Sequence, residues 1–267
     1  MPEAAPLPPL VLIHGAWQGS WAFESWLPAL RERGFRARAV DLPGNGWPPA
    51  PDAPASLESY TAHVVDVVRW LDEPVVLVGH SGGGITASQV AEAIPERIAA
   101  LVYLAGIMLP SGTGFDHIVA LCEREAPGTR FDGIAPYLDR SADGSSTRVR
   151  TEGALKCFLQ DCEPAAARRA AGLLREQQES GRRMKPQLSS TRFGSVPRIY
   201  VECTDDRSIL LPLQRKMQAL TPGAVCVRMD CGHVPQLAQP ERLAERLRES
   251  LEALLPSAAP RAGRSGP

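Results

Sequence analysis

Six short runs rich in Val, Ile and Leu predict strands: "LVLIHG" from Leu10, "RARAV" before Asp41, "PVVLVGH" from Pro74, "AALVYLAG" from Ala99, "PRIYVECT" from Pro197 and "AVCVRM" from Ala224. Between most of them the apolar positions change to helical spacing. "SWAFESWLPALRERG" stops at Gly34, and "SLESYTAHVVDVVRWL" opens on Ser56 as N-cap. Alternating strands and helices build a mostly parallel sheet covered on both faces, so the predicted fold class is α/β.

The alternation lapses between Ile107 and Ser195. There a loop-rich stretch, "APGTRFDGIAPYLDRSADGSSTR", precedes helical "EPAAARRAAGLLREQQESG". This predicts a core made of residues 1–106 and 196–255, with 107–195 inserted as a cap. A cap in that position lies over the C-terminal strand ends, where open α/β sheets bind ligands. Residues 256–267, "PSAAPRAGRSGP", have nothing to bury and read as a disordered tail.

Gly79-His80-Ser81-Gly82-Gly83 fits G-x-S-x-G between a strand run and the helix-compatible "GGGITASQVAEAI". Glycines permit the tight turn that exposes a serine hydroxyl, and the Gly82 N–H lies at a helix N-terminus, where negative charge is stabilised. A dinucleotide fingerprint fails because Ser81 replaces its second glycine, and a P-loop lacks its Gly-Lys-Ser/Thr ending. A serine nucleophile needs a base, and the base needs an orienting carboxylate. Both follow in the order Ser, Asp, His: Asp205-Asp206 after "PRIYVECT", and His233 after "AVCVRM". His14 sits in a tight turn, His63 is mid-helix, His117 lies in the cap and His80 points away from the serine. Position in the loop does not separate Asp205 from Asp206, while Asp230 is too close to His233 along the chain. "HGAW" after the first strand offers the Ala16 N–H as a second oxyanion donor, with Gly15 permitting close approach.

Composition narrows the partners. The 267 residues carry a formal net charge of −1, which leaves no basic excess for nucleic acid. No apolar run is long enough to cross a bilayer, and "MPEAAPLPPL" does not read as a signal peptide, so the expectation is a cytoplasmic protein without a membrane partner. Six cysteines lack zinc spacing and read as reduced, packed thiols. The chemistry expected of the triad needs no metal or other cofactor.

Through "HGAWQGSW", "GHSGGG", "TDDRSI" and "CGHVPQLAQPERLA" the chain resembles the α/β-hydrolase superfamily, and within it bacterial relatives of the plant methylesterase and hydroxynitrile lyase family. The likeness extends from Leu10 to about Leu251. It implies that the acid stands eight residues before a glutamine, which is Gln214 here and favours Asp206. The lyase branch carries threonine where this chain has Gly15 and lysine where it has Val234, so both positions point to the esterase side. Dehalogenases and epoxide hydrolases of this fold attack with aspartate at the turn, and Ser81 excludes them. The resemblance further implies an apolar pocket that includes Ile107 and Met108, and pairing as a homodimer. The expected function is hydrolysis of small aryl or alkyl carboxylic esters through an acyl-enzyme. The alternatives are carbon–carbon lyase chemistry on the same triad and ligand binding without turnover.

Overall fold

A computed structural model of the protein describes residues 7–45 and 54–255. The tail expected over 256–267 lies outside the described residues. Along the chain, β1 (Leu10–Ile13), α1 (Trp26–Glu32), β2 (Ala37–Val40), α2 (Leu57–Leu71), β3 (Val75–His80), α3 (Gly83–Ala93) and β4 (Ile98–Leu104) follow in alternation. The helix expected from Ser20 begins instead as a 3-10 turn, Ser20–Phe23, before α1. Gly34, at φ +77°, ends that helix where the sequence places its stop, and the Phe35 N–H closes on the Leu30 carbonyl at 3.0 Å. The Ser56 N-cap of α2 is also present: its hydroxyl accepts from the Ser59 N–H, and the Ser59 hydroxyl in turn accepts from the Ser56 N–H.

The segment that follows β4 holds α4 (Phe115–Glu125), β5 (Leu138–Arg140), β6 (Ser146–Val149), α5 (Thr151–Gly153), α6 (Pro164–Leu173) and β7 (Gln177–Gln178). α5 runs into a π-helical turn, Ala154–Phe158. The chain then returns through β8 (Arg198–Cys203), α7 (Leu211–Leu220), β9 (Ala224–Met229), α8 (Pro235–Ala238) and α9 (Pro240–Leu254). Two expectations fail in the inserted segment. The stretch read as loop contains the hairpin β5–β6, which turns at Gly144 with φ +70°. The stretch read as helix through Gly181 stops at Leu173, because the Arg175 N–H donates to the Trp17 carbonyl and Gln177–Gln178 join β6 as a third strand.

All six core strands are parallel, in the order β2-β1-β3-β4-β8-β9. Alternate residues bury opposite faces. Val11, Ile13, Val75 and Leu77 pack with Tyr60 and Val64 of α2 and Ile85 of α3. Leu10, Leu12, Val76 and Val78 pack with Trp26 of α1 and Leu243 and Leu247 of α9. A third apolar cluster joins Phe158, Leu159 and Ala170 of the inserted segment to Trp17 and Val234 of the core. Strand order reverses between β1 and β3, which opens a crevice at their C-terminal ends. No helix among the described residues is long and apolar enough to cross a membrane.

Candidate active site

β3 ends at His80 and α3 starts at Gly83, so Ser81 and Gly82 make the whole turn. Ser81 holds φ +52°, a conformation disfavoured for a residue with a Cβ. Backbone bonds keep it there: its N–H donates to the Leu104 carbonyl at 3.2 Å, and its carbonyl accepts from Ile107 at 2.8 Å and Gly84 at 3.1 Å. A Cβ on Gly79 would lie 2.6 Å from Gly84 Cα, so the crossing of strand end and helix start requires glycine there. A Cβ on Gly82 would meet only the Ala16 nitrogen at 3.7 Å, so that position is open, whereas one on Gly83 would lie 2.7 Å from the His14 carbonyl oxygen and glycine is required there.

The loop after β1 presses against the turn. A Cβ on Gly15 would stand 2.8 Å from Ser81 Cβ, so glycine permits the approach. The Gly15 carbonyl accepts from His14 Nδ1 at 2.8 Å, and His14 Nε2 accepts from the Leu42 N–H at 3.1 Å. These partners require a neutral imidazole with its proton on Nδ1, and burial lowers the His14 pKa in the same sense. Because the Gly15 carbonyl and the Ala16 N–H share one peptide plane, His14 also sets the direction of that N–H. Among the described residues, neither the Ala16 nor the Gly82 N–H has an acceptor.

His233 lies between β9 and α8, and its Nδ1 donates to Asp206 Oδ2 at 2.8 Å. Asp206 Oδ1 accepts from the N–H groups of Ser208 at 2.7 Å and Ile209 at 2.9 Å. Both side chains are buried. Asp205 is exposed and holds the Cys231 carbonyl through its backbone N–H. Thus, of the two aspartates left open by loop position, Asp206 is the one brought to the histidine. Gln214 fixes the same loop: its amide accepts from the Cys203 N–H at 3.0 Å and donates to the carbonyls of Cys203 at 2.9 Å and Ile209 at 2.8 Å.

His80 joins the two halves of the site. Its Nε2 donates to the His233 carbonyl at 2.9 Å, and the two rings lie 4.9 Å apart. Burial first, and the neighbouring His233 second, push its pKa down to about 3. The Gln18 amide oxygen accepts from the Gly15 N–H at 3.2 Å and lies 3.0 Å from His80 Nδ1, which links the β1 loop to the serine turn. No spacing rule singles out Gln18 within "HGAWQGSW". Phe158, from the inserted segment, stacks on His233 at 5.2 Å. Ile107 is partly exposed beside the Ser81 carbonyl, whereas Met108 is fully buried in the core layer. All six cysteines are free thiols. His63 and His117 lie on α2 and α4, outside this constellation.

The alpha/beta hydrolase family matches residues 10–246. This chain belongs to that family. As an alpha/beta hydrolase it is similar to the pyrethroid hydrolase of Sphingobium wenxiniae, 30% identical over 251 residues that cover 91% of this chain and 88% of that protein. Methylesterase 1 of Arabidopsis thaliana is 28% identical, covering 88% of this chain and 92% of its own. The crystal structure of a pyrethroid hydrolase from Sphingobium faniae JZ-2 has a TM-score of 0.80 at 26% identity, over 92% of this chain and 98% of that one. The methylesterase and hydroxynitrile lyase resemblance carried by the sequence motifs holds, since an alpha-hydroxynitrile lyase of A. thaliana is a relative too.

Proposed function

We propose that this protein is a serine carboxylesterase for small aryl or alkyl carboxylic esters. His233 takes the proton of Ser81, whose oxygen attacks the ester carbonyl. The N–H groups of Ala16 and Gly82 receive the oxyanion, and Asp206 holds the imidazole in its tautomer and stabilises its charged form. His233 then gives the proton to the departing alcohol, and water releases the acid by the same route. The observation that carries this reading is the buried Asp206–His233 pair, anchored to His80, the residue before a serine at positive φ. Relatives named as hydrolase and methylesterase support it. The lyase alternative asks for a cation after the base, and Val234 there is buried in an apolar cluster with Phe158 and Trp17.

The test is hydrolysis of p-nitrophenyl acetate and butyrate by wild type and Ser81→Ala. Wild type turns both over, and the variant loses on the order of a thousandfold or more in kcat. Equal rates in the two proteins refute Ser81 as nucleophile.

A further inference from the structure

A second set of contacts reaches the β1 loop from the inserted segment. Trp17, next to Ala16, holds φ +63°, a left-handed conformation that a bulky residue keeps only where its surroundings over-determine it. Its three polar groups are all engaged. The Trp17 N–H donates to Gln177 Oε1 at 3.3 Å, its carbonyl accepts from the Arg175 N–H at 2.9 Å, and its indole Nε1–H donates to Thr147 Oγ1 at 3.2 Å. Thr147 and Gln177 are direct register partners between β6 and β7, so their side chains share one face of the small sheet.

Both residues are themselves held. Thr147 Oγ1 donates to Glu179 Oε1 at 3.1 Å, and the Glu179 carboxylate takes two bonds from Arg182 and one from Arg183, each 2.7 Å. Burial alone would raise the Glu179 pKa, but the bonds and charge of Arg182 bring it down to about 2, so Glu179 is a fixed anion. The Gln177 amide donates to the Tyr60 hydroxyl at 3.3 Å and the Gln178 carbonyl at 3.0 Å, which leaves its oxygen turned to Trp17. The Arg182 guanidinium lies 5.8 Å over the Trp17 ring, and the Phe158 ring is 6.1 Å away.

We propose that Thr147 and Gln177 are positioning residues for acyl transfer: they fix Trp17, and through it the adjoining Ala16 N–H against the oxyanion. The proposal rests on the esterase reading, which assigns that N–H its role. An oxyanion donor works only near 2.7–3.1 Å from the developing charge, so a loop free to rotate about Trp17 weakens transition-state binding more than substrate binding.

The experiment compares Thr147→Val, which keeps shape and loses the hydroxyl, with Thr147→Ser, which keeps the hydroxyl, and with Trp17→Phe, which loses the indole N–H. Rates on p-nitrophenyl butyrate are normalised to sites titrated with a fluorophosphonate. Inhibition by an alkyl trifluoromethyl ketone, whose serine adduct places its oxygen in the oxyanion position, gives the second readout. Thr147→Val lowers kcat per site about tenfold, weakens the ketone by a similar factor and leaves KM within about twofold. Thr147→Ser restores most of both. Trp17→Phe matches Thr147→Val, and the double variant is no worse than either alone. A lower melting temperature or fewer titratable sites, with kcat per site and ketone affinity unchanged, overturns the proposal. A wild type that neither hydrolyses the ester nor reacts with the fluorophosphonate overturns the esterase reading, and the proposal with it.

Discussion

Asp205 and Asp206 are chemically identical neighbours with opposite surroundings. One points to solvent, while the other is buried against His233 and two backbone N–H groups. Asp206→Asn replaces an acceptor with an amide that cannot hold the same tautomer. The expected result is a loss of about 10³–10⁴ in kcat, whereas Asp205→Asn stays within about twofold. Steady-state kinetics of the two variants decides between them, and equal losses would contradict the assignment. Distinguishing the pair took the resemblance at the sequence level, since the doublet sits in one loop. The structure supplies the physical reason for the eight-residue offset from Gln214: that amide ties Cys203 to Ile209 across the loop.

Gln214 on α7 therefore acts on an element junction, where β8 passes into its helix. Gln214→Ala leaves the Cys203 N–H and two carbonyls without their partner in a buried place, at a cost of about 2–4 kcal/mol. A urea titration checks this, and a change below about 0.5 kcal/mol would show that the loop stands without it. At this scale the core was legible in the sequence. All six strand runs form strands: β1, β3 and β4 are near-continuously apolar because both of their faces are buried, whereas the edge strands β2 and β9 expose several of their residues. Ser56 and Gly34 mark their helix boundaries because capping and positive φ are local requirements. The small second sheet was not legible. β5 reads Leu-Asp-Arg and β7 is Gln-Gln, polar segments paired by tertiary contact, and the local signal for the β5–β6 turn is Asp143-Gly144. Thr147 and Gln177 went unseen for the same reason, since their partner Trp17 is 130 and 160 residues distant.

For the whole molecule, the two fully buried histidines make stability depend on pH. His80 has a folded pKa of about 3, below the unfolded value of 6.5, and burial lowers His14 as well. Between those values the unfolded chain binds more protons, so the contribution is complete above pH 6.5 and is lost as pH falls towards 3. Urea midpoints measured from pH 7.5 to 5 should fall steadily, and a flat profile over that window would count against neutral burial.

The parallel order of the sheet also has a temporal side. His80, just before the serine turn, and the His233 carbonyl it holds are 153 positions apart, and the strands β8 and β9 that deliver Asp206 and His233 follow the other core strands along the chain. A ribosome that has finished β4 has already made the serine turn, but has made neither its base nor its acid. On the esterase reading, the nascent chain is inert towards esters until β8 and β9 have been made and have docked on the sheet. A message cut short before the codon for His233 yields a silent protein rather than a weakened one.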